Sequence, residues 1–182
     1  MDASRSHREL QLLISTSKNM ATLELSHSAL SANDCRRIAA ALFYNSSIES
    51  LVLADNSIGE KGLFHICAAL VGNTNLKTFD VGSNKIGREG GKHIAALLRS
   101  GCRIETLNLG GFMGNLLGDV GLVHLAPTLQ RNTHLRSLDL EHNQIGDMGA
   151  VHISSVLEHN KTLTNVFFCL LYTSPSPRDL AV

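Results

Sequence analysis

No segment of this 182-residue chain approaches the roughly 20 consecutive apolar residues that a membrane-crossing helix requires. The first residues, MDASRSHREL, lack the apolar core of a secretory leader, so the expected location is cytoplasmic, with the nucleus as the alternative. Excess charge is missing as well. Sixteen Lys and Arg balance sixteen Asp and Glu, which removes the overall electrostatic case for a nucleic-acid or membrane-surface partner. The four cysteines, Cys35, Cys67, Cys102 and Cys169, form no CxxC or other paired spacing. A disulfide framework and a zinc site are therefore both disfavoured, and free thiols in a reducing compartment are the simplest reading. No phosphate loop of the GxxxxGKS type occurs, and no nucleophile, base and orienting acid converge in the linear pattern. Neither catalysis nor a cofactor is expected.

What the chain does contain is a ruler. Asn or Gly stands at Asn45, Asn73, Gly101, Asn132 and Asn160, at intervals of 28, 28, 31 and 28 residues, each three places ahead of an apolar residue that opens a unit. The units open at Met20, Ile48, Leu76, Ile104, Leu135 and Leu163, and apolar residues follow three and five places on, as in Leu51 and Leu53 or Phe79 and Val81. Alternation of period two over so few residues is a short strand with one buried face. Next comes Asn56, Asn84, Asn115 or Asn143, with Ser28 in its place in the first unit. Two glycines three apart follow (Gly59 and Gly62, Gly87 and Gly90, Gly118 and Gly121, Gly146 and Gly149), and then apolar residues at helical spacing: Ile66 and Leu70, Ile94 and Leu98, Leu125 and Leu129, Ile153 and Leu157. One strand, one turn and one helix thus make a unit. The Asn or Gly of the ruler is expected to close the helix, because these residues best tolerate a left-handed C-terminal cap.

The pattern LxxLxLxxNxIGxxGxxxIxxxLxxN, over residues 20–168, resembles the leucine-rich repeat, in the 28-residue form similar to ribonuclease inhibitor and the C-terminal regions of NOD-like receptors. The resemblance implies an α/β fold, a right-handed solenoid bent into a horseshoe arc with parallel strands on the concave face and helices on the convex face. The bend has a physical origin: strands stack at about 4.8 Å, whereas helices behind them need about 8 to 10 Å. The turn asparagine, with donor and acceptor on one side chain, is suited to pairing backbone groups of neighbouring turns. Residues 1–19 are expected to form a helical half-repeat acting as a partial N-terminal cap, and 20–168 five full units plus a sixth strand. Residues 169–182 leave the frame as CLLYTSPSPRDLAV, and Ser-Pro steps favour extended, disordered chain. Three readings of that tail stand: a linker, a substrate for proline-directed kinases at Ser174 and Ser176, or a non-native end similar to translated adaptor sequence, beyond which the natural protein has further repeats. An uncapped last unit with Phe167 and Phe168 at its edge is expected to make the chain marginally stable and prone to self-association.

Strand positions that face away from the core carry Glu24, Asp55, Asp80, Asp139 and Glu141 but no Lys or Arg, alongside Asn108 and His142. Such an acidic column would steer a basic protein segment and repel nucleic acid; equally, small and acidic residues keep an exposed sheet soluble. The fourth unit is three residues long of frame, and its insertion, GGFMG, lifts Phe112 and Met113 on a glycine tether at the rim. Large apolar residues so placed either anchor a partner or fold back over the next unit. His65, His93, His124 and His152 recur one place before a helix core position. Helices about 8 to 10 Å apart cannot bring them within the roughly 2.1 Å reach of one zinc, so they read as a repeated, half-buried helix position and no metal is expected. The leading function is a non-catalytic protein-binding module using the concave sheet and the fourth-unit loop. The alternatives are a GTPase activator resembling the Ran GTPase-activating proteins and an inhibitor similar to ribonuclease inhibitor.

Overall fold

The computed structural model describes residues 20–169. Six strands of three residues alternate with five helices: β1 (Thr22–Glu24), α1 (Ala32–Leu42), β2 (Ser50–Val52), α2 (Gly59–Ala69), β3 (Thr78–Asp80), α3 (Gly90–Arg99), β4 (Thr106–Asn108), α4 (Gly118–Arg131), β5 (Ser137–Asp139), α5 (Asp147–His159) and β6 (Asn165–Phe167). The strands form one parallel sheet in chain order. Leu23, Leu51, Phe79, Leu107, Leu138 and Val166 share one register across it. A unit of fixed length with a helix as its return path permits no other order, since each strand can pair only with the units before and after it.

The register also shows where the longer fourth unit puts its extra residues. Leu107 and Leu138 pair although 31 residues separate them, so the excess leaves the sheet untouched and is confined to the loop before Asn115. The central residue of each strand from β1 to β5 is buried, as are the second apolar residue of each unit and the inward side of each helix, giving one continuous core. Leu157 departs from expectation at 47% exposed. Helix α5 is flanked by α4 on one side, and no further described helix covers the other.

A column of buried asparagines binds the units together. Asn84 is 0% exposed. Its Nδ2 donates to the Leu53 carbonyl of the unit before (2.8 Å) and to Val81 and Gly82 of its own. Its Oδ1 accepts from Ile58 N–H, again in the unit before. Asn56, Asn115 and Asn143 repeat this bridging. Among the described residues, no buried side-chain nitrogen or oxygen is left without a partner. The ladder also explains a cost elsewhere. His27, Ala29, Ser83, Lys85, Leu116, His142 and Gln144, which flank this column, all have φ between 53° and 60°, a conformation disfavoured by roughly 1–2 kcal/mol for a residue with a side chain.

The ruler asparagines close their helices differently from the expected left-handed cap. Asn132 and Asn160 have φ of −70° and −74° with ψ of 133° and 131°, which is extended backbone. The side chain acts instead. Oδ1 of Asn45, Asn73, Asn132 and Asn160 accepts the N–H groups two and three residues on, at 2.7–2.9 Å. At Asn45, Asn132 and Asn160 an Asx turn of this kind supplies the reversal without a left-handed residue, whereas Asn73 follows Gly72, whose φ is 74°. Gly101, lacking a side chain, does take the left-handed route, with φ of 86°.

Helix α5 begins in a way peculiar to its unit. The Asp119 carboxylate, at the start of α4, accepts from Gly146 N–H (2.8 Å) and Gly149 N–H (2.9 Å), and so caps the helix of the following unit. The expected half-repeat at 1–19 and the tail beyond Cys169, with Ser174 and Ser176, lie outside the described residues. No described helix is long and apolar enough to cross a membrane.

Candidate protein-binding face

Each strand offers its central side chain to the core and its flanking side chains to the open face of the sheet. There the acidic column divides by what each carboxylate touches. Glu24, Asp80 and Asp139, with Asn108 between them, occupy the last position of their strands, and each accepts the N–H two residues on, from Ser26, Gly82, Glu141 and Gly110 respectively. These side chains terminate strands. Asp80 is the most committed: its second oxygen also accepts from Asn108 Nδ2 at 3.0 Å. Burial pushes the Asp80 carboxyl up from its ordinary range. The Gly82 and Asn108 hydrogen bonds oppose this, and the nearby Glu24 and Asp139 charges add to it.

A raised folded-state carboxyl binds its proton more readily in the folded chain than in the unfolded one, so its charged form weakens the fold as pH rises. Asp80→Asn should therefore be more stable than the wild type at pH 7, with the difference closing in acid as the wild-type carboxyl is neutralised. Urea midpoints measured from acid to neutral pH test this. Parallel pH profiles for the two proteins would show that Asp80 is effectively solvated.

Glu141 and Asp55 are the acids left free to meet a partner. Glu141 is exposed, and Asp55 carries an exposed contact to His27 Nε2 at 3.6 Å. His142 is exposed at the same edge, beside the fourth-unit loop. That loop is a built turn. Gly114 N–H donates to the Gly111 carbonyl at 2.8 Å, and Met113 N–H donates to Ser83 Oγ of the preceding unit. Gly111 and Gly114 take φ of 95° and 57°, and a Cβ at Gly114 would collide with the His142 carbonyl. The turn delivers Phe112 at 87% exposure and Met113 at 61%. Phe112 has the His142 ring 6.3 Å away, which leaves nearly all of its surface in solvent, so the loop stands up rather than folding back over the fifth unit. The structure brings Phe112, Met113, His142 and Glu141 to one edge of the sheet, while Glu24 sits on β1 at the far end. The glycines are legible in the sequence as a tether in GGFMG, but the bond that ties the loop to Ser83 lies between units and leaves no signal in the pattern.

Other candidate chemistry is accounted for by packing. Burial pushes the Cys35 thiol up to about 12, with the Asp34 charge adding to it, and also raises Cys67 and Cys102, so these are inert, apolar-packed thiols. His93 lies 3.7 Å from Glu60 and 5.4 Å from the Phe64 ring. Among the described residues, no group of three His, Cys, Asp or Glu gathers as a metal ion would need.

The comparisons with known proteins fit this architecture. A family model described as Leucine Rich repeat matches residues 44–67, 72–95 and 131–154, three segments that each hold one strand and the helix after it and that avoid the inserted loop. No curated protein matches the sequence. Among solved structures, the chain is similar to the Leiomodin-1 Actin-Binding Site 2, with a TM-score of 0.50 and 16% identity over 94% of this chain and 82% of that one. It is also similar to a tropomodulin C-terminal domain of Caenorhabditis elegans, with a TM-score of 0.61 and 16% identity over 85% of this chain and 92% of that one. At such identity the likeness is one of fold. Repeat matches and fold together show that the chain carries leucine-rich repeats stacked as an α/β solenoid.

Proposed function

We propose that this chain is a non-catalytic protein-binding module whose partner is anchored by Phe112 and Met113 and oriented by the acidic edge of the open sheet face. The observation that carries the reading is the loop itself. Two large apolar side chains are exposed on a turn tied to the preceding unit through Ser83, and exposed aromatic and Met side chains on rigid supports make efficient interface anchors. The open sheet face supplies about the number of side chains at the low end of a standard interface, roughly 20 to 30 a side. Glu141, Asp55 and His142 form the rim, while Asp80, Asp139, Asn108 and Glu24 hold the strand ends that present them. The protein partner we infer offers a basic segment to this edge. We assign the repeats to the 28-residue, ribonuclease-inhibitor-like form on unit length.

A photo-crosslinking side chain at position 112 identifies the partner, with position 96 on the helix side as control. Phe112→Ala should then weaken the purified complex by about 2 kcal/mol, roughly 30-fold. Crosslinks equal at both positions, or an unchanged affinity, would sink the reading. Actin is the first partner to assay, because one structural neighbour is named for an actin-binding site. Acceleration of GTP hydrolysis by a small GTPase, lost on mutating rim residues, would favour the activator alternative instead. Inhibition of a basic ribonuclease would favour the inhibitor.

A further inference from the structure

The flank opposite the Phe112 loop contains a groove of about 430 Å³ at the C-terminal ends of α3 and α4. Its floor is apolar, with Leu98, Cys102 and Pro127, and its mouth carries Arg99, Arg131 and His134. The groove originates in the ruler. Asn73 and Asn160 extend Nδ2 to the carbonyl of the preceding ruler residue, Asn45 or Asn132, at 3.3 and 3.0 Å. Between Gly101 and Asn132 this contact is missing, and among the described residues Asn132 Nδ2 donates to nothing while its Oδ1 caps the turn. Gly101 brings no side chain to fill the gap.

The charges of the groove are all of one sign. No Asp or Glu lines it. Lys77, Lys92 and Arg136 pair with Glu49, Glu89 and Glu105, but Arg131 makes no ion pair or hydrogen bond among the described residues. Arg99 commits one nitrogen, to Thr128 Oγ1 at 2.8 Å, out of the five N–H donors of a guanidinium. The arginines are not occupied with the end of α3 either, because the Leu97 carbonyl already accepts from Ser100 and Cys102. Planar guanidinium donors with nothing to pair are matched by carboxylates, and the apolar floor calls for a hydrocarbon group beside them. A bare anion would leave most of the cavity empty, since one water's share of liquid volume is only about 30 Å³.

We propose that this groove is a second docking site, for an acidic peptide segment that seats an apolar side chain on the Leu98 and Pro127 floor and its carboxylates on Arg99, Arg131 and Asn132 Nδ2. The site is independent of the Phe112 edge and takes the opposite charge. Amide chemical shifts of the full chain titrated with a capped Glu-Leu-Glu-Leu peptide test it, beside Gln-Leu-Gln-Leu and inorganic phosphate. The acidic peptide should move Gly101, Asn132 and Thr133, and Arg131→Glu, on an exposed side chain with no bond to lose, should weaken binding at least about tenfold. The Gln peptide and inorganic phosphate should leave those residues unmoved. An equal response to phosphate, shifts centred on the open sheet face, or an unchanged affinity in Arg131→Glu would overturn the proposal.

Discussion

Asn84→Ala is expected to remove about 3–5 kcal/mol of stability, most of what a domain of this size has to lose. The estimate follows from what the side chain leaves behind. Three carbonyls, of Leu53, Val81 and Gly82, lose the Nδ2 donor, and Ile58 N–H loses its acceptor. The three carbonyls keep second donors, Asn56 Nδ2, Asn115 Nδ2 and Asp55 N–H, so each lost Nδ2 bond costs about 1 kcal/mol, while the buried Ile58 N–H is left unpaired at roughly 1–3 kcal/mol. Partial relaxation of the turns keeps the total below the sum. The flanking left-handed residues Ser83 and Lys85 are held in place by this network and would drift once it is broken. Urea denaturation measures the effect. Asn84→Asp should be at least as damaging, since it keeps the acceptor but removes both amide N–H donors and buries a charge. A loss under about 1 kcal/mol for Asn84→Ala would mean that the ladder is not what couples the units.

Gly91→Val should cost about 3 kcal/mol or more and make unfolding less cooperative. A Cβ on Gly91 would overlap the backbone carbonyl oxygen of Gly121 and come within 2.9 Å of its Cα. Gly121 is backbone in the next helix, so it cannot swing aside as a flexible side chain would. Helices α3 and α4 would have to separate. Overpacking a tight core contact typically costs about 1–3 kcal/mol, and an unyielding backbone puts this site at or beyond the upper end. Because stacked units are stabilised by nearest-neighbour contacts, opening the α3–α4 junction should let the two halves melt apart. A lower denaturant slope or a second transition is the signature, and a single transition of unchanged slope and midpoint would refute the close approach.

The two sites differ in how visible they are in the amino-acid sequence. Asn84 is legible there because its type recurs at one place in four units and because a buried turn needs both donors and acceptors. Gly91 is not, since the pattern marks Gly90 and treats its neighbour as a generic helix position. Only the hint that two adjacent glycines weaken a helix by roughly 1 kcal/mol each marks it as unusual. The ruler asparagines show the opposite failure. Their position as helix closers was readable, but the means was an Asx side chain with extended backbone rather than a left-handed cap. Residue type cannot separate those two routes. The acidic column was readable as five carboxylates on one face, yet Asp80 and Asp139 proved to be tied to the backbone two residues on, and composition does not distinguish a free carboxylate from one already paired.

The sequence by itself determined the unit, the order of its strand, turn and helix, and the place where three residues exceed the frame. Those are consequences of period, and period is a property of the chain alone. Tertiary structure decided that the excess becomes an exposed turn rather than a shift in strand register, because the buried asparagine column and the aligned core residues hold the sheet in step and leave the rim as the only outlet. It also decided that a groove opens beside Gly101, because the contact that Asn132 does not make to it lies between units and is specified by neither of them separately.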